Sequence, residues 1–573
     1  MLNRGDKIWQ VKDDPPSASW LATELGISKL LATLLIHRNV SSPDLAKSFL
    51  SPTLRALRDP FLLKDMDRAV ELITGFIVEK KQIAIYGDYD ADGLTATALL
   101  VDFFSRLGTP ISFYIPHRLE EGYSLNEKAI GKIAANNTQL IITVDCGINS
   151  LSEIALAKKL GMEVVVTDHH QLPANFEPIC PTINPLRSDS SFPFGELAGV
   201  GLAFYLAIAV RAHLREGGFF ESKDEPDLRS YLDLVALGTV ADIVPLIEEN
   251  RIMVKSGLKM LIDGQRSGIK ELLRVSGIKK NQIMATGDVA FKLAPRLNAI
   301  GRLGSATRAV HLLTTDNETE ASLIATQMDS LNAQRQAIEN RIVSEARERI
   351  EKLGDLEGRR TIVLFDPKWH RGVVGIVASK IVEEYRRPTL ILEAKGDLLR
   401  GSGRSIDGFD FYQALSDLSD IIRQFGGHDH AAGVTLESHK IGEFCDRFEE
   451  LASKRIDPKD MVPEIEVDAR LSLESINPQV VKEIELLLPF GRKNPQPIFW
   501  AGPVKVISSR VVGKDHLKLR VKEKGIIFDC IAFGKATFHP LGGKSVDMLF
   551  HVGTNTWQGI ESIQLMIVDL HVN

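Results

Sequence analysis

Cysteine is scarce in this sequence, and the few cysteines present are not arranged to bind one another or a metal. The chain of 573 residues contains four of them: Cys146, Cys180, Cys445 and Cys530. No two form a CxxC pair, so we expect neither a disulfide framework nor a cysteine-rich zinc site. This usage is typical of proteins in a reducing compartment, and we therefore expect a cytoplasmic location.

Long hydrophobic runs are also missing. The longest, Ala198 to Val210, is too short to cross a bilayer, which needs about 20 apolar residues. The segment from Met1 to Pro16 is charged and has no apolar core, so we expect no signal peptide and no membrane partner. The contents of 44% hydrophobic and 25% charged residues are typical of globular proteins.

The chain has no excess of positive charge, since its formal net charge is −6. That value counts against a nucleic-acid partner, because contacts to phosphate need lysine and arginine. The distribution differs, however: residues 491–530 contain nine Lys or Arg and three Asp or Glu. Within them, His516-Leu-Lys-Leu-Arg-Val-Lys522 alternates as a strand with one apolar and one basic face would. Either a solvated strand face or a small barrel that binds a nucleic-acid strand accounts for this pattern.

A cluster of carboxylates follows the apolar run at residues 83–85, in the segment Tyr86-Gly-Asp-Tyr-Asp-Ala-Asp-Gly93. Its three aspartates are Asp88, Asp90 and Asp92. Like charges raise one another's pKa, so a fold keeps them together when a cation neutralises them. A divalent metal that prefers oxygen ligands is the simplest such cation.

The segment has two other interpretations, an EF-hand calcium loop and an acidic turn. An EF-hand calcium loop is excluded, because it needs a glutamate at the twelfth position from Asp88, where this chain has Leu99. It also needs a preceding helix, whereas the preceding residues are typical of a strand. A solvated acidic turn that caps the following helix remains open for the three aspartates alone.

More metal-ligand side chains follow the next predicted strands. Residues 140–144 are followed by Asp145, and residues 164–166 by Thr167-Asp168-His169-His170. Ligands gather at the carboxyl ends of parallel strands, so these side chains can converge on one point. The predicted metal site consists of Asp90, Asp92, Asp145, His169 and Asp242. Several carboxylates with one imidazole favour manganese or magnesium over zinc.

These motifs resemble the DHH phosphoesterase family. The likeness rests on Asp168-His169-His170, on Asp88-Tyr-Asp-Ala-Asp92 and on Asp145. Two later motifs, Gly401–Ser405 and Phe425–Gly433, resemble the DHHA1 substrate-binding domain of the larger branch of this family. Two further motifs restrict the likeness to one group within this branch: Ala294-Pro-Arg-Leu-Asn-Ala-Ile-Gly-Arg302 and Pro489-Phe-Gly-Arg-Lys-Asn-Pro-Gln-Pro497. The likeness covers roughly residues 45 to 573.

The order of patterns predicts two α/β domains joined by a long helix, followed by a β-barrel of the OB-fold type. Strands alternate with helices up to about residue 315, which indicates parallel βαβ units. A 3.6-residue period predicts one helix over residues 319–353, about 50 Å long at 1.5 Å per residue. The predicted parts are an N-terminal extension (1–45), a DHH catalytic domain (46–315), a connecting helix (316–355), a DHHA1 domain (356–458) and an OB-fold domain (462–573).

The resemblance implies two bound ions, Mn²⁺ or Mg²⁺, and a role for each residue of the cluster. One ion would take Asp90 and Asp145, and the other Asp92, Asp145, His169 and Asp242. His170 would contact the phosphate, and all these residues together with Asp88 would be catalytic. This chain has Tyr86 where some relatives with smaller substrates have a histidine ligand. We therefore expect weaker binding of the first ion, with Asp88 contributing directly or through water.

A terminal phosphate is best held by arginine, which supplies bidentate, cationic donors. The glycines of Gly401-Ser-Gly-Arg-Ser405 would let a ligand approach the backbone closely. The substrate contacts implied by the resemblance are Arg118, His170, Arg302, Ser402, Arg404 and His428, and Arg296 is a further candidate. The alternative for each arginine is a surface ion pair, which contributes little.

The resemblance implies a single-strand-specific 5′-to-3′ DNA exonuclease that releases 5′-mononucleotides and acts in recombinational and mismatch repair. Implied partners are single-stranded DNA, single-strand binding protein and a RecQ-type helicase, and we expect a monomer. A second class is a phosphodiesterase for oligoribonucleotides, cyclic dinucleotides or pyrophosphate, for which a basic barrel has no use. A third is a non-catalytic single-strand DNA-binding relative, which could dispense with the ligand set found here.

Overall fold

The computed structural model describes residues 7–118, 120–279, 283–354, 356, 358–557 and 560–573. The chain divides into two units. The first contains Trp9–Asn298, Ala306–Ala325 and Glu466–Asn573, and the second is built mainly from Thr326–Ile465. The first unit therefore combines the beginning of the chain with its last hundred residues.

The N-terminal segment is mostly helical. Its elements are β1 (Ile8–Val11), α1 (Ala18–Leu25), α2 (Lys29–Ile36) and α3 (Pro43–Leu50). Ser28 accepts a hydrogen bond from the amide of Leu31, and Ser42 from that of Leu45, so both serines cap amides of a first helical turn. Within the described ranges, no single helix is long and apolar enough to span a membrane. The helices α1 and α2 reach that threshold only as a pair, which is bent by 116°.

A parallel five-stranded sheet lies at the centre of the first unit. Its strands are β2 (Ile83–Gly87), β3 (Ile111–Tyr114), β4 (Leu140–Val144), β5 (Glu163–Thr167) and β6 (Thr182–Ile183). Their order is β3-β2-β4-β5-β6, and every neighbouring pair is parallel. Because β3 and β4 lie on opposite sides of β2, the connections reverse direction between β2 and β4. Ligands of open α/β sheets bind at such a switch point.

Helices surround this sheet and extend the domain. Those between the strands and after them are α4 (Met66–Val78), α5 (Ala91–Arg106), α6 (Glu127–Ala135), α7 (Leu151–Lys159) and α8 (Gly199–Glu216). Six more follow: α9 (Leu232–Ala241), α10 (Glu248–Asp263), α11 (Ser267–Val275), α12 (Thr286–Asp288), α13 (Ala294–Leu303) and α14 (Thr307–Thr314). The first two turns of α5 are buried, and α5 packs against α8 and α9.

The second unit is a separate α/β structure. The long helix α15 (Glu318–Lys352) leads into it and confirms the predicted helix to within one residue at each end. The elements that follow are β7 (Ile362–Asp366), α16 (Val374–Tyr385), β8 (Thr389–Lys395), β9 (Leu398–Arg404), α17 (Phe411–Ser416), β10 (Ile422–His428), β11 (Ala431–Glu437) and α18 (Ile441–Arg455). The sheet order is β10-β11-β9-β8-β7, and only β7 and β8 are parallel.

The C-terminal segment forms a closed barrel. Its elements are β12 (Glu464–Val467), β13 (Ala469–Arg470), α19 (Pro478–Leu486), β14 (Phe499–Val512), β15 (His516–Glu523), β16 (Ile526–Ala532), β17 (Ser545–Trp557) and β18 (Ile560–Val572). The order β14-β15-β16-β18-β17 closes because β17 also pairs with β14. The predicted fold of two α/β domains, a long helix and a C-terminal barrel is therefore confirmed.

One buried arginine joins three parts of the first unit. Arg251 on α10 is 1% exposed, and its guanidinium stacks on the Phe49 ring of α3 at 3.9 Å. It donates hydrogen bonds to five backbone carbonyls, those of Phe49, Leu486, Leu487, Leu488 and Pro489. The α/β domain of the parallel sheet, the N-terminal helices and the end of α19 thus share one cation.

Replacing Arg251 with methionine is expected to destabilise the first unit by about 2–3 kcal/mol, because buried carbonyls lose their donor. Lys255→Met is the matched control: it lies one turn further along α10 and has a single hydrogen bond, to the carbonyl of Leu50. The shift in urea midpoint distinguishes the two variants. Equal, small shifts for both would contradict a joining role for Arg251.

Candidate active site

The three aspartates after β2 occupy different positions around the start of α5. Asp90 caps the helix, and its Oδ1 accepts hydrogen bonds from the amides of Asp92 (3.0 Å) and Gly93 (3.2 Å). The capping interpretation is thus correct for Asp90. Asp88 and Asp92 are buried, so capping does not account for the whole cluster.

Asp145 and the two histidines lie at the ends of the neighbouring strands. Asp145 follows β4 in a left-handed conformation (φ 62°), which aspartate tolerates better than most residues. Its Oδ1 is 3.0 Å from His169 Nε2. His170 Nδ1 bonds Asp168 Oδ1 at 2.7 Å, and Tyr123 Oη bonds both His170 Nδ1 (3.1 Å) and the carbonyl of Asp145 (3.2 Å).

Asp242 completes the cluster from the helical layer, where it ends α9. Its Oδ2 is 3.7 Å from His169 Nε2, which is also 3.9 Å from Asp92 Oδ2. Three groups of side chains could each hold a metal ion: Asp88, Asp90 and Asp145; Asp92, His169 and Asp242; and Asp145, His169 and His170. The predicted residues are thus brought together, and Asp145 belongs to two of the groups.

The start of α8 supports this cluster, and this contact was missing from the sequence-based prediction. The amides of Gly199 and Val200 donate to the two carboxylate oxygens of Asp92 at 2.6 and 2.9 Å. A Cβ on Gly199 would lie 2.7 Å from Asp145 Cβ and 2.9 Å from Asp145 Oδ1, so only glycine fits. The one available signal was the pair Gly199 and Gly201 at the start of an apolar run.

Three further residues position the ligands. Asp168 accepts hydrogen bonds from the amides of Ile148 (2.9 Å) and His170 (3.0 Å) as well as from the His170 ring. Asn298 Oδ1 accepts from the amide of Ala91 at the start of α5 (2.7 Å). Tyr86, at the end of β2, donates its hydroxyl to the carbonyl of Ser124 (2.9 Å) and is fully buried.

Burial and mutual repulsion make the cluster costly to ionise. Burial first, and the charge of Asp90 second, raise the pKa of Asp88 well above its ordinary value and that of Asp92 to about 7. Burial and the nearby aspartates likewise raise the pKa of Asp145 and Asp242. Burial lowers the pKa of His169 to about 4. A neutral imidazole with free lone pairs is the form that binds metal.

The pKa of His170 is shifted in the opposite direction from that of His169. Burial opposes its protonation, but the hydrogen bond and the charge of Asp168 outweigh burial and raise the pKa of His170. The same contacts, working against burial, lower the pKa of Asp168. The pair therefore favours an imidazolium beside a carboxylate, which suits contact with an anion better than metal ligation.

Unpaired atoms at the centre of the cluster fit bound cations. In the part of the chain that the structure describes, three buried ligand atoms of the cluster have no hydrogen-bond partner: Asp88 Oδ1, and Asp145 Oδ1 and His169 Nε2, which lie 3.0 Å apart without hydrogen-bond geometry. Buried polar atoms are nearly always paired, so such atoms need an explanation. Because they point into a group of oxygen and nitrogen ligands, divalent cations that prefer this donor set account for them.

Metal binding is expected to strengthen as the pH rises from 6 to 8. In the metal-free protein, carboxyls with raised pKa hold protons that a metal must displace, up to about tenfold in affinity per pH unit for each proton. Their folded-state pKa is above the unfolded value, so the metal-free fold loses stability as the pH rises from about 4 through 7. Mn²⁺ should therefore raise the melting temperature more at pH 8 than at pH 6.

Scanning fluorimetry with and without Mn²⁺ measures this difference, and calorimetry in two buffers of different ionisation enthalpy counts the released protons. Asp92→Asn removes the group with a pKa of about 7, so the rise in melting temperature caused by Mn²⁺ should depend less on pH above pH 6. A Mn²⁺ effect that is the same at both pH values would contradict the expectation.

The predicted substrate contacts fall into two sets. In the first unit, the Arg118 guanidinium lies over the Tyr89 ring at 4.9 Å, and its charge acts on Asp88. Arg296, the further candidate, donates to the carbonyls of Lys292 and Val275.

The other set lies in the second unit. Arg404 Nη1 donates to Ser402 Oγ at 2.7 Å. A Cβ added to Gly375, at the start of α16, would lie 3.3 Å from both Arg404 Nη2 and Ser402 Oγ, so little more than a glycine fits beside this pair. Arg302 donates to the carbonyl of Gly372 at 2.9 Å. His428 is exposed at the tip of the hairpin formed by β10 and β11, with Nδ1 3.0 Å from Asp429 Oδ1.

Comparison with known proteins identifies three parts of the chain, which correspond to the two α/β domains and the barrel. Family models match residues 82–239 as the N-terminal domain of the DHH family, residues 358–454 as a DHHA1 domain and residues 467–569 as a RecJ OB domain. A protein of Salmonella typhimurium named single-stranded-DNA-specific exonuclease RecJ is 41% identical over 526 residues, which cover 89% of this chain and 90% of that protein. The chain belongs to the RecJ family.

Other RecJ proteins support the same conclusion. The exonuclease RecJ of Bacillus subtilis is 37% identical over 573 residues, covering 99% of this chain and 71% of that protein. A crystal structure of RecJ in complex with Mn²⁺ from Thermus thermophilus matches with a TM-score of 0.82 at 31% identity, covering 98% of this chain and 79% of that one. The resemblance stated from the motifs is thus confirmed.

Proposed function

We propose that the protein is a metal-dependent exonuclease that degrades single-stranded DNA from the 5′ end and releases 5′-mononucleotides. The observation that carries this proposal is the cluster of carboxylates and His169 at the switch point of the sheet, with buried ligand atoms lacking partners in the described chain. Relatives that span most of the chain are named single-stranded-DNA-specific exonucleases. A nuclease of this class needs such a cluster next to its scissile phosphate.

We assign two divalent cations, Mn²⁺ or Mg²⁺, to this cluster. Asp88, Asp90 and Asp145 would hold one, and Asp92, His169 and Asp242 the other. Asp145 would also contribute to the second, because its Oδ1 lies 3.0 Å from His169 Nε2. RecJ of Thermus thermophilus has been solved with each of these ions. Bound there, the cations would activate water as the nucleophile and neutralise charge on the phosphate.

The residues around the cations have tasks of their own. Asp168 holds the His170 ring, so that a protonated imidazole can donate to a phosphate oxygen. Arg118, close to Asp88, adds a second donor on the other side of β2. The proposal assigns Ser402, Arg404 and the start of α16 to the terminal 5′ phosphate, with Arg302 and His428 as further contacts in that unit.

The barrel would bind the strand beyond the active site. On paired strands β14 and β15, Lys505 lies opposite Lys522, and Arg510 lies opposite Lys518. Like charges placed directly opposite one another destabilise a sheet, unless a ligand of opposite charge binds between them. A phosphate backbone is such a ligand, and it would turn this repulsion into affinity that falls with salt.

The test is degradation of 5′-labelled and 3′-labelled single strands beside the matching blunt duplex, with Mn²⁺ or with chelator. Early release of the 5′ label as a mononucleotide, from single strands only and with metal only, supports the proposal. If longer strands survive while dinucleotides are cleaved, the protein is a small-substrate phosphodiesterase. If strands are bound and never cleaved, it is a binding protein.

The same proposal extends to the cellular setting. Family resemblance alone supports action in the cytoplasm, as a monomer, in recombinational and mismatch repair. It also supports cooperation with single-strand binding protein and a RecQ-type helicase, which would supply single strands. Faster degradation of a duplex when both are added would support the cooperation.

A further inference from the structure

One sequence motif has no role in the function described so far. The segment Pro489–Pro497 links α19 to β14 and forms a tight turn, in which the amides of Gly491 and Asn494 donate to each other's carbonyls at 2.9 and 3.0 Å. The Asn494 side chain is completely buried; it donates to the carbonyls of Leu487 and Pro489 and accepts from Arg38 Nε. The turn is therefore held from within.

The turn is also fixed to the catalytic domain through its backbone. The amide of Leu246 donates to the carbonyl of Arg492 at 2.9 Å, and Thr286 Oγ1 donates to the carbonyl of Phe490 at 2.7 Å. Gly491 lies so close to Leu246 that a Cβ would come within 2.6 Å of Leu246 Cδ1. Leu246 follows Asp242 by four residues, so this docking places the backbone of Arg492 beside a candidate metal ligand.

The side chain of Arg492 differs from the other cations of this region. Lys493 pairs with Glu196 at 2.7 Å, and Arg38 is satisfied by Asn494 and two carbonyls. The Arg492 side chain is exposed and makes no hydrogen bond or ion pair within the ranges that the structure describes. It is nevertheless close enough for its charge to act on the Asp242 carboxylate.

We propose that Arg492 binds a phosphate of the DNA at the carboxylate cluster, so that the segment leading into the barrel completes the active site. This inference rests on the proposed function. A guanidinium with free donors presents the planar fork that fits two phosphate oxygens. The Arg492 guanidinium makes no hydrogen bond to Asp242, whose oxygens would be engaged by a metal, whereas a phosphate brings further acceptors to the site. The rigid turn means that little ordering is needed when DNA binds.

The experiment measures cleavage of a 5′-phosphorylated single strand by wild type, Arg492→Ala, Arg492→Lys and Lys493→Ala, with saturating Mn²⁺. Arg492→Ala is expected to lower kcat/KM about 30-fold, the loss typical of one charge-assisted hydrogen bond. Arg492→Lys keeps the charge without the fork and should recover part of the loss. Lys493→Ala, in the same turn, should stay within about threefold of wild type.

Two further measurements separate phosphate binding from other roles. The melting temperature and the affinity for Mn²⁺ should be the same in Arg492→Ala and wild type. If the loss of activity disappears at a Mn²⁺ concentration above the one that saturates wild type, Arg492 acts only through metal binding at Asp242 and the inference is wrong. The inference is also wrong if wild type cleaves single strands and Arg492→Ala has the same kcat/KM. If wild type cleaves no single strand, the proposed function itself fails.

Discussion

Replacing Asp145 with asparagine is expected to reduce single-strand cleavage roughly ten-thousand-fold. Asp145 belongs to one ligand group with Asp88 and Asp90, and its Oδ1 lies 3.0 Å from His169 of the other assigned site, so we expect its loss to affect both assigned cations. Asparagine has the same shape but a single carbonyl oxygen and no charge. The substitution therefore removes a negatively charged ligand without leaving a cavity. Release of labelled mononucleotide at saturating Mn²⁺ measures the loss.

The stability of this variant distinguishes lost chemistry from lost fold. Asp145 is a buried carboxylate among other carboxylates, so neutralising it should maintain or raise the melting temperature of the metal-free protein. Asp102→Asn is the control, because Asp102 is a largely buried aspartate that pairs with Arg106 near the far end of α5 from Asp92. It should leave cleavage unchanged. Cleavage by Asp145→Asn within tenfold of wild type would contradict the proposed role of Asp145 as a ligand of the cations.

Replacing Gly199 with alanine is expected to reduce cleavage about 100-fold or more, although alanine is the better helix former. The added methyl group would overlap the Asp145 side chain and would push apart the ligands that α8 holds. Displacement of catalytic groups by about 1 Å costs about 100-fold in rate. The amide of Gly199 also bonds Asp92, so both groups of ligands would shift together.

Gly201→Ala is the matched control for this substitution. It lies on the same helix, two residues further on, and an added Cβ there would be 3.5 Å from the nearest atoms of Leu197 and Met253, an ordinary contact. We expect near-normal cleavage and a normal or raised melting temperature. Similar losses in both variants would show that α8 tolerates no change, and the steric explanation for Gly199 would be wrong.

The metal cluster could be predicted because its residues are marked by local sequence patterns. Each of the strands β2, β4 and β5 is a short apolar run, and a carboxylate or a histidine follows each one directly. Parallel strands place their carboxyl ends along one edge, so the ends of three strands meet without any knowledge of the helices. The barrel was predictable for a related reason: alternating apolar and basic residues have the period of a strand.

The supporting residues could not be predicted, because their partners are remote in sequence and bond through the backbone. Gly199 and Val200 contact Asp92 with amides, which every non-proline residue carries. Asn298 lies 207 positions from the amide of Ala91 that it accepts from. The role of Asp168 was hidden as well, because the orientation of the His170 ring appears only once β5 and its loop are folded.

The shared core of the first unit has a consequence for synthesis of the chain. Leu31, Leu34, Leu35 and Phe49, from α2 and α3, are buried in the same cluster as residues of the barrel, such as Phe499 and Leu517. About 420 residues separate α3 from the first barrel residues of that cluster. At 5–20 residues per second, these helices wait roughly 20 to 80 seconds for their partners while on the ribosome. Their apolar faces therefore stay exposed during translation, where chaperones can bind them. Slow elongation should lower the yield of folded protein.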